Sequence, residues 1–569
     1  MNKRLGICML LLLIAMSLFS AELFAGPKKP ELVIGPGLGS GRTGYHQNWN
    51  RTLDVDTVYI LTGLYYVDST YSITIQPGTA VLGDTAATLT IRRGAQIHAS
   101  GTPAQPIVFS SLKTPGTRAR GDWGGVILLG DAPVNKVDPL IEGGIIEGTY
   151  GGNNPGHDVG EFCYARIEFG GYRYQLNNEV NGLTMGGVGS GSEIHHVQVS
   201  YNFDDAFEWF GGTVPCSCLV SFCGTDDEFD TDFGYAGNVQ FCFAVRDSSL
   251  WDPTGESNGF ESDNDGSSTS QAEPFTWCRF SNVTLVGPER TDALVGTIPV
   301  GHKYQYSALL RRSTRHSIFN SVITGYPWGF SVRDVFTIRY AQNDTLQVLN
   351  TSVTATLRPS GSTSVHDEGR WAGVTAWFEK AGYGNIGSQP RNPSAVGLTD
   401  MSNLYNPNPV PLVGSELDGT ASFSDPSLAG FHPVTYRGAF EPGVPMANQW
   451  TAGWTNFDPQ NTDYNPGQVN VPETSLGRFG ELSQNAPNPF NPVTRIAYSL
   501  AQPGRVTLRA FDVTGRPVRT LVDGWMETGR YEATWDGRDS RGAEVASGVY
   551  FYQIDAPGLV TSKKMVVSK

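Results

Sequence analysis

A repeated acidic segment sets the strongest limit on how this chain can fold. Asp204-Asp205-Ala206-Phe207-Glu208-Trp209-Phe210-Gly211 aligns with Asp226-Asp227-Glu228-Phe229-Asp230-Thr231-Asp232-Phe233-Gly234, at an offset of 22 residues for the Asp pair and 23 for the Phe-Gly pair. Gly259-Phe260-Glu261-Ser262-Asp263 carries the same Phe-acid core 31 residues after Phe229. A unit this short cannot supply a four-stranded propeller blade, and repeats of this length stack as solenoids. From about Val55 to Asp334 short β-rich runs alternate with Gly, Asp and Asn, among them Thr88-Leu89-Thr90-Ile91, Ile107-Val108-Phe109, Val197-Gln198-Val199, Val239-Gln240-Phe241-Cys242-Phe243 and Val283-Thr284-Leu285. Such runs are strands, and no window keeps a period of 3.6. The expected fold class is therefore all-β, a right-handed parallel β-helix over 55–340 with three strands per coil. Val197, Val220 and Phe243 are expected to stack as one core ladder.

Around that body the rhythm changes. Residues 26–54 read as an N-terminal segment and cap. Residues 341–457 are irregular, rich in Ser, Pro, Asn and Gly, with a short helix expected between Trp371 and Gly382. They suit a cap and covering strand, because an open coil end exposes unpaired backbone. Residues 458–481, with Asn461, Pro466, Gly467 and Pro472, read as a linker to a separate domain over 482–569.

The repeat also places acids. If coils stack, Asp205 and Asp227, and after them Glu261, fall about 5 Å apart on neighbouring coils. Glu208 and Asp230 form a second column, with Asp232 and Asp263 nearby. Carboxylates at that spacing need a cation, a shared proton or hydrogen-bond donors. Calcium satisfies such groups with six to eight oxygens. Glu261-Ser262-Asp263-Asn264-Asp265-Gly266 adds a short calcium-loop-like pattern, although Glu stands first and Ala272 falls where a bidentate Glu belongs. The metal candidates are thus Asp205, Glu208, Asp227, Asp230, Asp232, Glu261, Asp263 and Asp265. The rival reading has these acids accepting backbone N–H groups in tight turns. A catalytic reading needs a base on the same face, for which Arg246, Arg311, Arg312 and Arg315 are present, or two carboxylates about 5 to 9 Å apart. Tyr172, Tyr174, Trp209 and Tyr235 offer either a sugar-stacking platform or core aromatics. Of His195 and His196, strand alternation turns one inward and one outward.

Other features narrow the compartment and partners. Lys3 and Arg4 precede an apolar run from Leu5 to Phe19 with Ser20, Ala21, Ala25 and Gly26 behind it. This has the form of a cleaved secretory signal over 1–25, and no further membrane span is expected. Charged residues make up 17% of the chain and the formal net charge is −15, a balance that disfavours nucleic acid as a partner. Six cysteines follow the leader: Cys163, Cys216, Cys218, Cys223, Cys242 and Cys278. They permit three disulfides in an oxidising compartment, or buried free thiols.

The last 88 residues carry a resemblance. Leu482-Ser483-Gln484-Asn485-Ala486-Pro487-Asn488-Pro489-Phe490-Asn491-Pro492, Asp512-Val513-Thr514-Gly515-Arg516, Trp535-Asp536-Gly537-Arg538-Asp539, Ala546-Ser547-Gly548-Val549-Tyr550-Phe551-Tyr552 and Lys563-Lys564-Met565-Val566-Val567 occur in that order. This order resembles the C-terminal sorting domain of type IX secretion cargo, a small Ig-like β-sandwich of the kind found in flagellar hook-capping proteins. The resemblance implies recognition by the type IX machinery, with Lys563, Lys564, Met565, Val566 and Val567 as the sorting signal. It also implies passage through the periplasm to a secreted or outer-surface location. The middle region resembles secreted bacterial β-helix proteins of unassigned activity, on Trp123-Gly124-Gly125-Val126-Ile127-Leu128-Leu129-Gly130, Arg166-Ile167-Glu168-Phe169-Gly170-Gly171 and Tyr436-Arg437-Gly438-Ala439-Phe440. Two function classes remain open: a surface, adhesion or glycan-binding protein with structural calcium, or a polysaccharide lyase or glycoside hydrolase acting on an extracellular glycan.

Overall fold

The computed structural model describes residues 28–568 except 176–177, 356–370, 388–390, 467–480, 483, 486, 501–503, 527–528 and 558. The leader over 1–25 lies outside the described residues. The chain divides into two units, Met1–Val469 and Asn470–Lys569.

In the first unit the short runs coil as a parallel β-helix. One face is a ten-stranded parallel sheet that includes Leu183–Gly186, Phe207–Phe210, Phe229–Asp232, Phe260–Ser262 and Tyr306–Leu310. The remaining ladder strands join a sixteen-stranded sheet that folds across two faces. The fold line is visible in the backbone. Tyr164, His196, Cys218, Phe241 and Asn282 all have φ between 47° and 60°. Each sits mid-strand in Gly160–Glu168, Glu193–Ser200, Cys216–Phe222, Asn238–Val245 or Arg279–Val286. Pairing skips these positions, running Cys163↔His195 and then Ala165↔Val197. One left-handed residue per coil turns the strand onto the next face, and stacking such residues spreads the local strain along one edge of the prism.

The register corrects one expected ladder. Val197 pairs with Leu219, and Leu219 with Cys242. These three face the interior with Val283. Val220 and Phe243 do pair with each other, but over Gln198 and on the opposite face. The coil from Val197 to Leu219 is 22 residues long and the next 23, so an even 23-residue count slips by one here, and a one-residue slip exchanges inside for outside.

The apolar outer face created in this way needs cover. Val220, Phe222, Phe243, Val245 and Val286 pack against Ala439, Phe440 and Trp454. The irregular region therefore does more than close the last coil. Its helix Val374–Phe378 places Trp377 and Phe378 against Phe330 at the end of the solenoid. A second helix, Val335–Gln342, was not legible as a period. The chain then returns along the outside towards the first coils. Ser422 pairs with Asn320, Asn282 donates to the Tyr436 carbonyl, Asn456 pairs with Gln198, and Asn465 accepts from the Lys29 amide. Residues 458–466, read from sequence as linker, belong to this strap. Arg118 donates to the carbonyls of Pro459 and Thr462 at 2.7 and 2.8 Å, and the Tyr464 hydroxyl donates to buried Glu168 at 2.6 Å.

No disulfide forms among Cys163, Cys216, Cys218, Cys223, Cys242 and Cys278. All six are buried free thiols. Register separates them: Cys163 pairs with His195, Cys216 with Val239, and Cys242 with Leu219. None of these three therefore faces another cysteine across its ladder.

The second unit holds an antiparallel sheet in the order Pro517–Met526, Gly504–Asp512, Gly548–Ala556, Leu559–Val567, and a three-stranded sheet with Thr494–Leu500 at its centre. Ile496, Leu508, Trp535, Tyr552 and Met565 fill its core. Lys563, Lys564, Met565, Val566 and Val567 lie on the edge strand Leu559–Val567. Met565 and Val567 point into that core, and Lys564 points to solvent.

Candidate functional site

Alternation in the ten-stranded sheet sorts each repeat unit into an apolar and an acidic face. Phe207, Phe229 and Phe260 pair in register and stack inside the coil with ring centroids 5.8 and 5.5 Å apart. The next residue of each unit points outward, so Glu208, Asp230 and Glu261 form one in-register column between Thr184 and Leu309. Glu261 thus belongs with Glu208 and Asp230, not above Asp227 as expected. The longer third unit places Asn258 above Asp227. The Asp227 amide donates to Asp205 Oδ1 at 2.8 Å, and the Asn258 amide donates in turn to Asp227 Oδ1. The turn-acceptor role weighed for these aspartates is therefore present, and it uses one oxygen of each carboxylate.

These columns form the floor of a cleft of about 490 Å³. Its lining holds six aspartates, five glutamates and three arginines. Several of the acids were missed from sequence. Asp204 and Asp226 are the first members of the repeated Asp pair and could have been found there. Glu142 comes from an insertion after the strand Val126–Leu129, and Asp252 and Glu256 come from the loop after Val245. No period predicts where those loops land.

The cations do not balance the acids. Arg173 meets Glu179 and Asp252, and Arg311 meets Glu261 and Asp263. Asp204, Asp205, Glu208, Asp226 and Asp230 form no ion pair among the described residues. Burial, reinforced by the neighbouring carboxylates, pushes all five well above the usual carboxylate range. Burial and the Asp230 charge bring Asp227 up to about 7. Two triads, Asp204–Asp205–Asp226 and Asp205–Glu208–Asp230, each have carboxylate oxygens within 4.8 Å of one another, and Asp205 is common to both. Asn181, 1% exposed, donates to Glu142 and Glu208, while its buried Oδ1 has no protein partner; Asp230 Oδ1 is likewise unpartnered. Carboxylate and amide oxygens facing one small space are the donor set of a hard divalent cation.

Other candidates lie elsewhere. Asp263 is neutralised by Arg311 and Arg312. Asp265 pairs with Lys136, and Asp232 accepts the Phe233 amide at 2.6 Å. None of the three lines the cleft. Residues 261–266 do not wrap an ion, because strand alternation sends Glu261 outward and Ser262 inward, and Asn264 is engaged by Thr276 and Ala272. Arg246 is buried in a 2.6 Å pair with Glu228 behind the cleft floor. Arg315 lies over the Phe275 ring at 3.5 Å. Trp209 and Tyr235 are core residues, stacked at 5.3 Å. His195 and His196 both turn outward, because His196 occupies the bend.

A family model described as a pectate-lyase-like β-helix domain matches residues 44–388. The chain belongs to the pectate-lyase-like β-helix family. The matched segment spans the coils and carries the whole acidic column of this family member. A second model, the FlgD Ig-like domain, matches residues 492–558 in the C-terminal unit. No curated protein matches the chain. Among solved structures, the crystal structure of dimeric latent PorU from Porphyromonas gingivalis is 23% identical over 15% of this chain and 9% of that one, with a TM-score of 0.13. The chain thus spans less than a tenth of that protein, too little to bear on the fold. No helix among the described residues is long and apolar enough to cross a membrane.

Proposed function

We propose that this is an exported surface protein whose acidic cleft holds divalent cations, calcium above all, and through them binds an acidic extracellular polysaccharide without cleaving it. One observation carries this reading: eleven carboxylates face three guanidiniums in one cleft. Two of those guanidiniums, Arg173 and Arg311, are each committed to two acids. A cluster so unbalanced repels anionic sugars when empty. Cations shared among Asp205, Glu208, Asp226 and Asp230 would reverse that field and leave coordination positions open for sugar oxygens. The family's β-helix name supports a link to polysaccharide. An arginine base of the lyase kind is disfavoured at Arg311: burial lowers and the Glu261 and Asp263 carboxylates raise its guanidinium, with a net upward shift, so it holds its proton.

Calorimetric titration of calcium into chelator-treated full-length protein, followed by a glycan array with and without calcium, tests the cleft. Saturable calcium binding and calcium-dependent glycan binding are expected, both lost in Asp205→Asn/Glu208→Gln/Asp230→Asn. Absence of calcium binding would end the cation reading. Turnover in a depolymerisation screen would move the protein to the lyase or hydrolase class. For export, the Ig-like unit supports type IX sorting. Deleting 482–569 is expected to trap a folded body in the periplasm, and normal export of the truncated form would refute this assignment.

A further inference from the structure

A separate group of side chains carrying metal-ligating atoms lies on another face, away from the cleft. In the strands Gly160–Glu168 and Glu193–Ser200, Phe162 and Ile194 turn into the core. Alternation therefore sends Cys163, Glu193 and His195 outward. Register places Cys163 directly beside His195 on the next coil. Glu193 stands two residues before His195 on the same face, and its carboxylate meets His195 Nε2 at 2.9 Å. One sulfur, one imidazole nitrogen and one carboxylate oxygen thus lie within 4.8 Å of one another.

The left-handed bend adds an orienting partner. His196, at φ 52°, brings its Nδ1 to 2.9 Å from His195 Nδ1. His196 is itself fixed by stacking on Tyr164 at 4.3 Å and by the edge of Trp454 at 5.6 Å. A metal-ligating histidine commonly has its second nitrogen held in this way. Glu193 and His195 also line a cavity of about 330 Å³, which gives the site a solvent side. Cys163, only 3% exposed, closes the protein side.

We propose that Cys163, Glu193 and His195 form a three-ligand site for a zinc-type divalent transition metal, with water in the fourth position. The mixed sulfur, nitrogen and oxygen set suits zinc or cobalt and not calcium, which takes oxygen ligands. On binding, the Cys163 thiol proton leaves to solvent. The Nε2–H that His195 donates to Glu193 must also move: the imidazole takes the tautomer with its proton on Nδ1, where it donates a hydrogen bond to His196 Nδ1, and offers the freed Nε2 to the ion. Binding here is independent of the cleft.

The test is titration of cobalt(II) into reduced full-length protein, stripped of metal and then given excess calcium to fill the carboxylate cleft. Expected are one equivalent bound and a thiolate-to-cobalt charge-transfer band in the near ultraviolet. Cys163→Ser should abolish the band, His195→Gln should abolish saturable binding, and Glu208→Gln in the cleft should change neither. Zinc should raise the thermal midpoint of the wild type but not of Cys163→Ser, whose fold is checked by its unchanged metal-free midpoint. Cobalt binding without the band, a band that persists in Cys163→Ser, or no saturable binding would overturn the proposal.

Discussion

Asp227→Asn should make the metal-free protein more stable at pH 8 and leave it unchanged at pH 4. Asp227 is 4% exposed and accepts the Asn258 amide, with Asp205 one coil below. Burial, then the Asp230 charge, carry its carboxyl up to about 7, against roughly 3.9 in an unfolded chain. Between those values the folded state holds more protons than the unfolded one, so stability falls as pH rises and the penalty is complete above about 7. Three pKa units correspond to about 4 kcal/mol, an upper figure because the cluster titrates as a unit. Asparagine keeps the shape and the Oδ1 acceptor for Asn258 and removes the charge. Urea midpoints in chelator should show the variant ahead at pH 8 by up to about 4 kcal/mol, with the gap closing at pH 4. Calcium at a hundredfold excess over its Kd should return about 2.7 kcal/mol to the wild type at pH 8 and less to the variant. A variant no more stable than wild type at pH 8, or a gap that does not change with pH, would refute the claim that burying an ionised Asp227 among other acids destabilises the metal-free cleft.

Other perturbations probe the frame around the cleft. Glu228→Gln leaves Arg246 charged and enclosed, and should cost about 3 to 5 kcal/mol in denaturant melts. Leu219→Ala cuts the interior ladder and should cost about 2 to 5 kcal/mol, whereas Val220→Ala loosens only the strap contact; equal losses would contradict the observed register. Tyr464→Phe removes the hydroxyl that satisfies Glu168 and should cost about 1 to 3 kcal/mol, with faster proteolysis within 458–466 as the local readout.

The acidic repeat made the solenoid legible because stacking coils reproduce equivalent residues at equal intervals. The Phe207, Phe229 and Phe260 stack and the Glu208–Asp230 column follow directly. Two errors share a single cause, the unequal length of the coils. Val197 to Leu219 spans 22 residues and Leu219 to Cys242 spans 23, so an even 23-residue count put Val220 on the wrong face. The longer third unit, with its inserted loop, likewise placed Glu261 in the wrong column. Glu142, Asp252 and Glu256 were invisible because loops reach the cleft through space, not through period.

The chain's own order of residues thus determined the parallel coil, the outward acids and the Ig-like end, since alternation and repeat length act locally along the strand. Tertiary structure alone decided which acids converge, which are neutralised by Arg173, Arg311 and Arg312, and that the irregular region returns as a strap over Val220 and Phe243. Those outcomes depend on distances between segments far apart in the chain, and a periodic pattern holds no information about them.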